Sequence, residues 1–241
     1  MFPAFGYDAA ILAALQTPPR TIPEVLATMR TIDSLCVNVD GLKWFNWLYL
    51  TVTAAVESQV SSGGFNDPAW LAELDVQFAT LYFDALRGVL TGGACPDCWR
   101  VMFAVRSDVR LARIQFAFAG MNAHINHDLA LAVVATCKTT NTAPKHGTPQ
   151  YQDYTSVNAT LDSLTDEAKA NLNVRLPGDA IAALTQLEDR IAGWDMAAAR
   201  EAAWNTAEQL WFLPPPLAES LRLTVDGLTA VIGKGLLIPV P

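Results

Sequence analysis

The stretch "NDPAWLAELDVQFATLYFDALRGVL", residues 66–90, decides the fold class. Its apolar residues return every three or four positions: Trp70, Leu71, Leu74, Phe78, Leu81, Tyr82 and Ala85. That is the period of one helix face, whereas a strand repeats every second residue. Asn66-Asp67-Pro68 supplies a capping side chain and a first-turn proline. The glycines of "TGGACP", residues 91–96, then stop the helix.

The same reading extends in both directions. "TIPEVLATMRTIDSL" (21–35) has a Thr cap, an early Pro and helical spacing, and "GLKWFNWLYLTVTAAVES" (41–58) reads as a largely buried helix closed by "SSGG". The longest helical region runs from Pro96 to about Thr139, with Ser107-Asp108 as a second start inside it. "KTTNTAPKHGTPQ" (138–150) is a loop. Helix resumes over 153–172, "VRLPGD" (174–179) breaks it, and two more helices reach "WFLPPPL". The prolines at 214–216 predict an extended spacer, followed by a last helix from Ala218 to about Ile232. No alternating segment reads as a strand, and the prolines of "LLIPVP" rule out a central one. The expectation is an all-α single domain, a bundle of about seven to nine helices spanning 1–241.

Composition narrows the function classes. The 241 residues are 51% hydrophobic and only 17% charged, with a net charge of −8; about a quarter charged is usual. The lysines are scattered, which argues against nucleic acid and against an anionic membrane surface. No apolar run reaches the ~20 residues of a membrane span. The first ten residues lack a signal peptide's basic start and apolar core, so a cytosolic protein is expected. Cys95 and Cys98 form a CxxC, but no strand precedes it and no second CxxC follows. They read as ordinary thiols, as do Cys36 and Cys137.

The functional signal is "GMNAHINHDLALAVV" (120–134), which puts two histidines, two asparagines and an aspartate into seven positions of an apolar helix. Each buried polar group costs ~1–3 kcal/mol if unmatched, so the cluster needs a reason. On a regular helix His124, His127 and Asp128 share one face, with His124 and Asp128 one turn apart. That stripe runs back through Gly120 and Ala117, small enough to leave room for a ligand, to Arg113, with Phe116 at its edge. Asn122 and Asn126 fall on another face. A histidine titrates near neutrality, and a carboxylate one turn away can hold its tautomer for acid–base work.

A metal site is the alternative chemistry for the same residues. His124, His127 and Asp128 would need a ligand from elsewhere: His146, or Asp84, Asp153 or Asp162. The His-Asp pair is similar to that of helical HD-type phosphohydrolases, although no upstream histidine completes their set. The Asp-rich magnesium motif of class I terpene cyclases is missing.

"GMNAHINHDLALAV", "DYTSVNATLDSL" and "AAWNTAEQLW" together resemble an uncharacterised actinobacterial domain-of-unknown-function family over roughly residues 20–230. Its Ala-His-Ile-x-x-Asp-Leu core is matched by Ala123, His124, Ile125, Asp128 and Leu129. In that pattern His124 and Asp128 are fixed and His127 is looser. The resemblance implies an all-helical single domain and supplies no reaction.

Seven tryptophans are many for this length. Trp44 and Trp47 cluster with Phe45, and Trp204 shares a face with Trp211. Core packing is the plain interpretation; an aromatic-lined pocket that stabilises positive charge is the functional one. The leading expectation is a cofactor-independent enzyme of small-molecule, secondary metabolism that cyclises or rearranges an apolar substrate. His124 would be the acid/base and Asp128 its orienter. Arg113, Phe116, Asn122, Asn126, His127, Trp44, Trp47 and Trp204 would contact the substrate. The rivals are a divalent-metal-dependent hydrolase and a non-catalytic ligand-binding or scaffold protein.

Overall fold

A computed structural model describes residues 5–172 and 195–239, with side chains for 5–161 and 195–239. The helices in chain order are α1 (Asp8–Ala14), α2 (Ile22–Leu35), α3 (Gly41–Ser61), α4 (Pro68–Thr91), α5 (Asp97–Ala104), α6 (Arg113–Ala123), a π-helical turn (His124–Asp128), α7 (Leu129–Thr139), α8 (Pro149–Leu172), α9 (Met196–Phe212) and α10 (Pro215–Leu236). No strand occurs among the described residues, as the periodicity requires. The break expected at 174–179 and the helix after it lie outside the described residues. Among the described residues, no helix is long and apolar enough to cross a membrane.

Local chemistry accounts for the helix starts and stops. The Asp67 side chain accepts from the backbone N–H of Trp70 at 3.1 Å, with Pro68 in the first turn. Gly92 ends α4 in the left-handed region at φ 72°, where a side chain would be strained. Two boundaries differ from the expectation. Pro215 and Pro216 occupy the first turn of α10, so the triple proline starts a helix instead of spacing two units. A helix-start proline loses no hydrogen bond, because that N–H has no partner in any helix. The restart inside 96–139 comes at Arg113, where the Gln115 side chain accepts from the N–H of Ala112 at 2.9 Å; Asp108 instead closes a turn with Arg110.

The centre of the bundle is the continuous rod α6–π–α7. It packs against α3 and α10 through α6, and against α4 and α9 through α7. Residues 114–125 and 127–130 are all buried, which is why the rod's polar side chains must find partners inside the protein. Beside it, Arg106 and Asp40 form a buried ion pair, joined by Asp8 at 3.0 Å and by the Tyr7 hydroxyl at 2.8 Å. Asp40 also caps α3 through the N–H of Leu42, tying the start of α3 to the end of α5.

Candidate functional site

The polar cluster is organised by Asp128. Its Oδ2 accepts from His124 Nδ1 at 2.9 Å and from Trp99 Nε1 at 2.8 Å; its Oδ1 accepts from His127 Nδ1 at 2.7 Å. All four residues are buried. Burial pushes the Asp128 carboxyl up, but the two imidazole bonds outweigh it and hold it below its ordinary range. Burial in turn pushes His124 down, against the pull of Asp128. The resting state is therefore an ionised carboxylate beside a neutral His124. An ionised carboxylate can only accept, so the proton sits on Nδ1 of each ring. The neutral His124 ring then carries a bare lone pair on Nε2, and neither ring's Nε2 has a hydrogen-bond partner.

The π turn decides where those lone pairs point. Its wider i→i+5 bonding replaces one regular turn, a feature common at functional sites. His124 faces α3 and α4, where its ring lies flat on Phe78, centroids 3.4 Å apart and planes within 6°, and meets the edge of Tyr49 at 4.5 Å. His127 faces the opposite side, toward α5 and α10.

On the His124 side lies a cavity of about 90 Å³; one water needs about 10–15 Å³. Its wall is apolar: Leu48, Val52 and Val56 of α3, Leu71 and Leu74 of α4, Met121, Ile125 and Leu129 of the rod, Val157 and Leu161 of α8, and Met196 of α9. Four polar side chains interrupt that wall: His124, Tyr49, Asp75 and Arg200. His124 Nε2 and Asp75 Oδ2 are inaccessible to solvent and lack a hydrogen-bond partner; the equally inaccessible Tyr49 hydroxyl is approached by the Thr53 hydroxyl, one turn on. Asp75 is part-exposed as a residue, yet burial of its carboxyl, with a lesser push from Glu57, raises it to about 7. Arg200 donates to Asn158 Oδ1 and to the Tyr154 carbonyl, both at 2.6 Å, and stacks on the Tyr154 ring at 4.2 Å.

On the other side, a ring nitrogen of His127, Cys98 Sγ and an Asp226 oxygen lie within 4.8 Å of one another, all three residues buried. Asp226 reaches from α10 to accept the N–H groups of Asp97 and Cys98 at 3.0 and 2.8 Å, capping α5 from a distant helix.

The residues expected from the sequence divide accordingly. His124 and Asp128 are paired at the cavity. His127 shares Asp128 but turns away from the cavity. The space left by Gly120 is not open to a ligand, because the Phe45 ring fills it, and Phe116 fills the space beside Gly41 in the same way. Arg113 stacks on Trp44 at 4.3 Å, and neither borders the cavity. Trp47 packs against the core. Trp204 is buried among Trp70, Tyr151 and Tyr154. Asn122 donates to the Thr229 carbonyl and accepts from Asn126, each at 2.9 Å, a helix-to-helix tie.

The metal set proposed from the sequence is not assembled. His146 lies apart, bound to Glu208 at 2.7 Å and Glu201 at 2.8 Å. Asp153 accepts the N–H groups of Asn66 and Asp67, Asp84 pairs with Arg87, and the side chain of Asp162 lies outside the described residues.

Sequence reasoning missed Tyr49, Asp75 and Arg200. Asp75 left a trace: it sits on the apolar stripe Leu71, Leu74, Phe78, where a carboxylate is out of place. Arg200 is a lone cation in the Ala-rich "MAAAREAA".

No curated protein and no solved structure matches the chain. A family model does, over residues 22–239, almost the whole chain and every residue of the cavity wall. The chain belongs to a family of unknown function, DUF5995.

Proposed function

We propose that the protein is an enzyme acting on a small apolar molecule by proton transfer, with His124 as the base and Asp75 as the second proton-carrying group. One observation carries the reading. Three residues that line one apolar cavity, His124, Tyr49 and Asp75, each carry a buried polar atom, and two of these atoms, His124 Nε2 and Asp75 Oδ2, have no protein partner. Leaving each unmatched costs about 1–3 kcal/mol, a cost that a bound substrate's polar group offsets. His124 is neutral with its lone pair on Nε2, so it can take a proton from substrate carbon or oxygen. The Asp75 carboxyl, at about 7, can return one at neutral pH, where general catalysts work best. Tyr49 remains a neutral phenol, since burial raises it well above its ordinary value, and can donate to a substrate oxygen. Arg200 adds a cation that suits a carbonyl or carboxylate. Phe45, Tyr49 and Phe78 supply the aromatic faces expected earlier of the tryptophans.

A proton taken at one carbon and returned at another is an isomerisation, one of the chemistries expected from the sequence. The partner in this reading is a diffusible small molecule in the cytosol, and the acidic chain has no role for nucleic acid or a membrane. The test is carbon-bound deuterium. The protein is incubated in D₂O with a panel of small apolar ketones and unsaturated acids, and label is followed by mass spectrometry. The expectation is label above the buffer rate that falls ~10²–10⁴-fold in His124→Gln. Label that persists in a folded His124→Gln protein would overturn the assignment.

A further inference from the structure

We infer that Cys98, His127 and Asp226 form a second site, which binds one divalent transition-metal ion of the zinc class. Its donors lie outside the cavity wall, and it shares with the cavity only the supporting carboxylate of Asp128. The donors come from three elements, α5, the π turn and α10, and their ligand atoms lie within 4.8 Å of one another. Zinc bonds of about 2.0–2.3 Å place tetrahedral donors roughly 3.3–3.7 Å apart, so small side-chain rotations bring these three onto one ion.

The decisive atom is His127 Nε2. It is buried in a residue 2% exposed and has no hydrogen-bond partner. Asp128 holds a proton on Nδ1 at 2.7 Å, which leaves Nε2 as the nitrogen that a metal beside Cys98 and Asp226 would use. A carboxylate on the far nitrogen of a ligating histidine is the usual support of a metal site, fixing both tautomer and ring. Besides the two backbone N–H groups, Asp226 accepts from the Cys98 thiol, and a metal that expels that thiol proton frees the lone pair for itself.

The charges of the three ligands also balance. A thiolate and a carboxylate neutralise a dication, which a buried site requires. Arg222, one turn before Asp226, is already paired with Glu219 at 2.6 Å. Sulfur and imidazole together select zinc-class ions over magnesium or calcium. A nucleophilic role for Cys98 fits less well. The thiol is 1% exposed, and burial and the carboxylates of Asp128 and Asp226 hold it protonated. A bound metal expels that proton. Three protein donors leave the fourth position to a water. Only His127 is shared with the ligand set expected from the sequence.

The test uses the full chain stripped with chelator and titrated with Zn²⁺ and, separately, Co²⁺. The expected result is one equivalent bound, a zinc-dependent rise in melting temperature, and a thiolate-to-cobalt charge-transfer band in the near ultraviolet. Cys98→Ser and His127→Gln should each lose stoichiometric binding, and Cys98→Ala serves if the serine variant does not fold. Asp128→Asn should weaken zinc about 10–100-fold. Asp75→Asn, on the cavity side and away from Asp128, and His146→Gln should bind as the parent does, which separates this site from the cavity. A parent protein that binds neither ion, or a thiolate band that survives in Cys98→Ala, would overturn the assignment.

Discussion

His124 and His127 are held by the same carboxylate, through bonds of 2.9 and 2.7 Å to the two oxygens of Asp128. One charge thereby sets two tautomers, and each imidazole turns its free nitrogen to a different neighbourhood.

Replacing Asp128 by Asn tests that control. An amide can donate to one ring nitrogen, which moves the proton of that ring to Nε2 and removes its lone pair from the site. Three buried donors also lose their shared charged acceptor, so stability should fall by about 1–3 kcal/mol. Nitrogen-15 spectra of the side chains should show both rings protonated at Nδ1 in the parent. Nε2-protonated rings in the parent would contradict the tautomer assignment.

Asp75 makes stability depend on pH. Its folded value, about 7, lies above the ordinary 3.8, so the folded protein keeps a proton that the unfolded chain releases. The stabilising contribution is complete below about pH 4 and is lost as pH rises through about 7, at a slope of about 1.4 kcal/mol per pH unit. Asp75→Asn should lack this slope. Urea midpoints of parent and variant, taken from pH 4 to 8, check it; parallel curves would mean an ordinary carboxyl.

Gly120 is set against Phe45, where a Cβ would stand 2.3 Å from the ring. Gly120→Ala should cost about 1–3 kcal/mol through overpacking. It should also slow deuterium incorporation, because Phe45 meets the His124 ring at 5.7 Å. An alanine variant with unchanged melting temperature would show that the ring can move away freely.

His146 should behave as a surface residue. Its bond to Glu201, helped by Glu208, raises its pKa. The linked stability is full below the unfolded value near 6.5 and is lost as pH rises through the higher folded one. A proton NMR titration of the ring should place its midpoint above 6.5, and His146→Gln should leave deuterium incorporation intact. A midpoint at or below 6.5 would mean that the two glutamates do not hold it in solution.

Helix was legible because it is a local property. The three-to-four spacing of Trp70, Leu74 and Phe78, the proline after Asp67 and the glycine at 92 act within a few residues, and each did locally what its chemistry dictates. The need for partners around His124 and Asp128 was legible too, since polarity inside an apolar rod costs free energy wherever that rod packs. The triple proline misled because local chemistry allows it two roles, spacer or first turn.

What lay beyond local chemistry was decided by packing. Whether Gly120 leaves a space or receives a ring depends on α3, which brings Phe45. Whether His124 and His127 share a face depends on the π turn, which a fixed angle per residue does not contain. Asp75 and Arg200 reach the His124 cavity from α4 and α9, and Cys98 and Asp226 reach His127 from α5 and α10. The sequence by itself determined that this chain is helical and that its central helix must satisfy buried polar groups. Only the tertiary structure decided which groups meet, because residues far apart in the chain acquire a distance only when their helices pack.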